Sequence, residues 1–178
     1  MTYYSGREMA ASARTVRANT IKIAEDIPEQ HYDFKPSPDS RSVARTLAHI
    51  AVSADHQIHM HQTGITDVAL VNFPQLMQTM GAEEARPRTK AEIIELLRSK
   101  GETFASYLET LNDEFLAQPV AMRPGTQPAT KSRFEMLLSP KEHEMHHRGQ
   151  LMLVERILGI VPHTTRQWQE RLAQAART

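Results

Sequence analysis

The segment SPKEHEMHHRGQL, Ser139 to Leu151, holds three histidines and two glutamates within residues 142–147. On an α-helix, residues i and i+4 lie ~40° apart around the axis and ~6 Å apart along it. His143 and His147 have that spacing. Two imidazoles so placed can converge on one ion at ~2.1 Å each. The same stripe continues through Leu151, Val154 and Leu158, so the pair extends a core-facing stripe. There a neutral imidazole needs a hydrogen-bond partner or a metal. Two interior histidines satisfied by other side chains are the plain alternative. His146 lies ~100° round from His147 and is expected at the surface or flanking the pair.

Two further patterns overlap the segment. His143, Glu144 and His147 fit H-E-x-x-H, in which two histidines bind zinc and the glutamate is the general base of a protease. The extended form of that motif needs Gly and His where this chain has Gln150 and Leu153, and the strands of a protease scaffold are absent from the pattern. Glu170 as a downstream ligand lies beyond Pro162, on a separate expected helix. Glu144 to His147 also reads E-x-x-H, but a di-iron bundle needs a second such pair and the chain has none. Glu144 is left as a weak candidate acid/base, against the simpler reading of a solvated helix carboxylate.

A metal on His143 and His147 requires a ligand from another helix. His31, His49, His56, His59, His61 and His163 are the remaining histidines. Val43, Leu47, Ile50, Ala54 and Ile58 form the apolar stripe of the second helix. His49 lies to one side of that stripe, so periodicity leaves it at the boundary or on the surface. His56 is read as solvated or, less simply, as lining a pocket.

The elements that must position these residues are helical. Pro28, Pro36, Pro38, Pro74, Pro87, Pro119, Pro124, Pro128 and Pro162 punctuate the chain, and proline interrupts helix interiors. Ser5…Glu8, Thr89…Glu92, Ser139…Glu142 and Thr164…Gln167 match the capping-box pattern, and Asp39 or Ser40 is placed to cap a further helix. Helices are expected over 5–27, 40–62, 89–117, 139–159 and 164–176, with Ile93, Leu97, Phe104 and Leu108 at helical spacing in the third. Ser132…Glu135 offers an earlier start for the fourth, either of a helix that kinks at Pro140 or of a short preceding one. The connection over 63–88 has room for a short helix around FPQLMQTM. No segment alternates as a strand.

A chain of 178 residues suits one domain with a full core, taken as 1–178. Lysine plus arginine and aspartate plus glutamate number 21 each, which argues against a nucleic-acid footprint. Neither a polybasic block nor an apolar run of ~20 residues points to a membrane. The N-terminus lacks the pattern of a secretory signal, and there is no cysteine. A cytoplasmic protein is the expectation.

Two stretches resemble one known family. IPEQHYDFKPSPDSRSVARTLAHI, Ile27 to Ile50, is similar to the opening of DinB/YfiT-like proteins, in which a proline-rich turn leads into a helix ending in a Leu-x-His motif. HEMHHRGQL, His143 to Leu151, resembles their H-x-x-x-H-R-G-Q signature. The resemblance implies an all-α fold: a four-helix bundle with long crossover connections, here with an additional C-terminal helix. It also implies a homodimer and one divalent metal (zinc, nickel or iron) held by His49, His143 and His147. Pro140 departs from the family pattern. Arg148 and Gln150 are expected to make structural hydrogen bonds, and Gly149 to permit close helix approach.

Three neutral histidines would leave such a cation's charge uncompensated, favouring water, a thiolate or a carboxylate in the open positions. With Ser139 as the cap, the helix dipole would add to this near His143. The expected activity is that of a metal-dependent thiol transferase or hydrolase acting on a small-molecule substrate, with a low-molecular-weight thiol as co-substrate in the first case. The alternative is a non-catalytic dimeric bundle in which the metal is structural or the site only binds.

Overall fold

The computed structural model describes residues 4–177. The chain runs α1 (Gly6–Asp26), α2 (Val43–Val52), α3 (Asp55–Gln62), α4 (Phe73–Ala85), α5 (Lys90–Glu109), α6 (Asp113–Ala117), β1 (Pro119–Ala121), β2 (Thr130–Ser132), α7 (Arg133–Ile157) and α8 (His163–Ala175). Helix α1, the α2/α3 pair, α5 and α7 form a four-helix bundle; α1 packs along α5, and α2 on α5 and α7. Among the described residues no helix is long and apolar enough to cross a membrane.

The helix starts follow local chemistry. Ser5 with Glu8, and Thr89 with Glu92, close reciprocal capping boxes on α1 and α5. The fourth expected helix starts earlier than 139. Ser132 and Glu135 form the box, and α7 runs unbroken through Pro140. Ser139 therefore sits inside a helix, where no free N–H needs capping. His143 lies ten residues beyond Arg133, so the expected dipole effect on it is lost, because that effect fades beyond the first turn. Helix α2 is capped by Ser42, which accepts from Arg45 N at 3.3 Å, rather than by Asp39 or Ser40; those two hydrogen-bond to Ser37. Helix α8 begins after Pro162 without a side-chain cap, so Thr164 is already helical.

Two expected helices are interrupted. The stretch 40–62 breaks between α2 and α3. There the Ile50 carbonyl accepts from Ser53 Oγ at 3.0 Å and Arg17 Nη2 at 3.3 Å. The stretch 89–117 ends at Glu109 because Asn112 caps α6, accepting from Phe115 N at 2.8 Å. A two-stranded antiparallel pair also forms, with Val120 opposite Lys131. Its strands are three residues each, too short for alternation to reveal.

The core is divided. Of three apolar clusters among the described residues, one joins Ile23, Ile50, Leu97 and Leu151 and a second joins Met9, Ile58, Phe104 and Leu137. Between these two lies a polar layer. The buried guanidinium of Arg17 meets the Glu144 carboxylate through Nε (2.9 Å) and Nη2 (3.0 Å) and donates to Leu97 O at 2.7 Å. Thr20 Oγ1 donates to Glu144 Oε1 at 2.5 Å. Gly101 makes room for this layer: a Cβ there would stand 2.6 Å from Arg17 Cγ.

Candidate metal centre

Helix α2 carries His49 and α7 carries His143 and His147. His49 is buried, not at the boundary. The ring centroids of His49 lie 4.8 Å from both other rings, and those of His143 and His147 are 4.5 Å apart. His143 Nε2 is 3.1 Å from His49 Nε2 and 3.1 Å from His147 Nε2.

Two acceptors fix how these rings carry their protons. His49 Nδ1 stands 2.5 Å from Glu84 Oε1, and an ionised carboxylate only accepts. His147 Nδ1 lies 2.7 Å from Gln150 Oε1. The amide orientation agrees, because Gln150 Nε2 is then free to donate to His146 Nε2 at 3.1 Å. A neutral ring that gives its Nδ1 proton to either acceptor turns an Nε2 lone pair toward His143. Burial, then the neighbouring His147 and His49, push His143 down to about 4; burial also lowers His147, against the bond to Gln150. His143 can give an Nε2 proton to only one of these two facing nitrogens at a time, whereas a cation between the rings engages all three. Bonds of ~2.1 Å from one ion span nitrogens ~3.0–3.4 Å apart at octahedral or tetrahedral angles, so the 3.1 Å separations suit a divalent ion. The three histidines are the one group among the described residues with metal-holding geometry.

Glu84 comes from α4 in the long crossover and is buried. Its second oxygen accepts from Arg41 Nε at 3.2 Å. Such a partner orients a ligating histidine and raises its basicity. Nothing local in the sequence marks Glu84, which is 35 positions from His49.

Other expectations need correcting. Glu144 is neither solvated nor available as a base, since its oxygens are engaged by Arg17 and Thr20 inside the bundle. That also removes the H-E-x-x-H protease reading. Gly149 is exposed, and a Cβ there would meet nothing within 4 Å, so it does not serve close helix packing. Arg148 Nε is buried without a partner; Gln150 does make a hydrogen bond, to the candidate ligand His147. His146 is exposed, with its ring 5.0 Å from that of His147. His56 belongs to neither the triad nor the adjoining cleft. It is partly buried on α3, and burial lowers its pKa.

A cleft of about 670 Å³ adjoins the triad, reaching it at His147 and Gln150. Arg41, Arg45 and Thr46 line the α2 side, and Leu153 and Val154 the α7 side.

Residues 13–151 match the DinB superfamily. The chain belongs to that family. The DinB match ends at Leu151, so it spans all three clustered histidines. Among relatives, the uncharacterised protein YjoA of Bacillus subtilis (strain 168) is 25% identical over 140 residues, covering 79% of this chain and 82% of YjoA. The crystal structure of that DinB-like protein superposes with a TM-score of 0.61 at 22% identity, over 85% of this chain and 92% of YjoA. YfiT from Bacillus subtilis, described as a probable metal-dependent hydrolase with an unusual four-helix bundle topology, gives 0.68 at 15% identity over 90% and 91%. A DinB-like protein from Bacillus cereus gives 0.67 at 15% identity over 90% and 97%. At these identities the structural likeness bears on the fold.

Proposed function

We propose that this DinB-superfamily chain is a metal-dependent enzyme acting on a small molecule, with His49, His143 and His147 as the ligands of one divalent ion. The observation that carries this is the convergence of three Nε2 atoms while Glu84 and Gln150 hold the Nδ1 protons of two of the rings. The donor set fits zinc, nickel or iron, all of which accept imidazole. Such an ion supplies a Lewis acid that can bring the pKa of water to about 7.

The protein's own groups do the rest. Glu84 and Gln150 accept from Nδ1 of two imidazoles, which leaves Nε2 as the ligating nitrogen and fixes how the rings are turned. The apolar clusters on either side of the polar layer keep the α2 and α7 backbones in register. The cleft gives a small molecule a place beside His147. Hydrolysis is the reaction favoured, in keeping with the description of YfiT; transfer to a low-molecular-weight thiol would use the same open side.

The ligand count speaks against a purely structural metal. Structural zinc sites are closed by four protein ligands, whereas catalytic sites keep three and an exchangeable position. Three residues make up this group among the described residues. The test is turnover of a panel of small esters, amides and lactones by metal-loaded protein, with and without added thiols. Metal-dependent turnover, lost on chelation and in His147→Ala, is expected. A fully loaded protein that turns over none of them, with or without thiol, would contradict the enzymatic reading and favour the structural one.

A further inference from the structure

The cleft beside His147 has two unlike walls. On the α7 side Leu153 and Val154, with Val43 opposite, are apolar. On the α2 side stand two guanidinium groups, Arg41 and Arg45, against one carboxylate, Asp39. Asp39 already accepts from Ser37 Oγ at 2.6 Å, and Arg41 is engaged through Nε by Glu84. Arg45 is exposed, and its guanidinium has no partner among the described residues.

The N-terminus of α2 supplies no free donor in its place. Val43 N donates to Phe34 O at 3.1 Å, Ala44 N to Tyr32 O at 2.8 Å, Arg45 N to Ser42 Oγ at 3.3 Å and Thr46 N to Ser42 O at 2.8 Å. The guanidinium groups are therefore the permanently charged donors that an anion in the cleft meets. Arg45 presents a planar fork that matches a carboxylate or phosphate bidentately.

From this arrangement we infer that the cleft binds the substrate and that Arg45 is a specificity residue. It holds an oxyanion, carboxylate or phosphate, at one end of a small molecule whose apolar portion lies against Leu153 and Val154. The end to be transformed then lies toward His147. The inference rests on the proposed metal enzyme only for which end reacts; the anion subsite is a property of α2 and the cleft.

The probes are phenylacetate and phenylbutyrate, their primary amides, and phenyl phosphate. They are titrated calorimetrically at low ionic strength into zinc-loaded wild type, Arg45→Gln and Arg45→Lys, with zinc content measured separately. At least one acid, or the phosphate, is expected to bind about tenfold more tightly than the corresponding amide. The preference should shrink to less than about twofold in Arg45→Gln and be partly kept in Arg45→Lys. Phenyl phosphate binding above both acids identifies a phosphate as the anion; the reverse order identifies a carboxylate. Binding of the acids and the phosphate no tighter than that of the amides, no binding of any probe, or a preference unchanged in Arg45→Gln would overturn the inference. The two readings fail separately. Protein that never takes up zinc but keeps the Arg45-dependent preference sinks only the metal reading. Protein that loads zinc but binds the acids independently of Arg45 sinks only this one.

Discussion

Glu84 sets the chemistry of the triad as much as the histidines do, because it decides which nitrogen of His49 keeps the proton. Removing such an orienting partner commonly lowers metal affinity by 10–100-fold. Glu84→Ala is therefore expected to weaken zinc binding by about that factor, with the far-ultraviolet circular dichroism unchanged. Competition with a chelator of known affinity would check this, and wild-type affinity in the variant would show that Glu84 does not orient His49. At this scale the sequence was uneven. The shared helix side of His143 and His147 was legible from their spacing. His49 was legible only through its motif, since the apolar stripe of α2 pointed elsewhere. Glu84 was not legible, because its partner lies across a crossover that periodicity cannot fold.

Among the elements, the polar layer joins α1, α2, α5 and α7. Glu144 looked like a surface carboxylate or a base because its neighbours in the chain are histidines. Its partner, Arg17, lies 127 positions away. Breaking a buried ion pair from one side leaves an uncompensated charge and costs about 3–5 kcal/mol. Glu144→Ala should show a loss of that size in urea denaturation. A loss below about 1 kcal/mol would mean that the pair is effectively solvated. The helix boundaries follow the same logic. Local caps were readable at Ser5 and Thr89. Where two caps competed, as at Ser132 and Ser139, nothing local ranked them, and at the α2/α3 break the Ile50 carbonyl is met by the distant Arg17 guanidinium.

At the scale of the whole molecule, the succession of helices and the long 63–88 connection were readable from periodicity and proline positions, and the four-helix bundle from the family resemblance. The Pro119–Ser132 hairpin and the burial of isolated ionisable groups were not. Glu155 is one such group, fully enclosed with both carboxylate oxygens unpartnered. Burial, then the nearby Asp26, pushes it from 4.5 up to about 7. Between those values the folded chain holds a proton that the unfolded chain has released. This contribution to stability is complete below 4.5 and is lost as pH rises through about 7. Glu155→Gln should flatten that part of the stability profile and raise stability at pH 8 by on the order of 2–3 kcal/mol. Parallel profiles of midpoint against pH for the two proteins would contradict it.

Ile157, Trp168 and Leu172 are each more than half exposed on α7 and α8, a surface the expected homodimer can bury. Sedimentation is expected to find dimers that Trp168→Arg converts to monomers; a monomeric wild type at high concentration would contradict this. The central claim is that imidazoles from α2 and α7 share one cation. It is tested most directly by elemental analysis of tag-free protein after incubation with zinc, nickel or iron and removal of the excess. About one divalent ion per chain is expected in wild type and none in His147→Ala of unchanged helicity. A wild type that retains no ion, or a His147→Ala that retains a full equivalent, would contradict it.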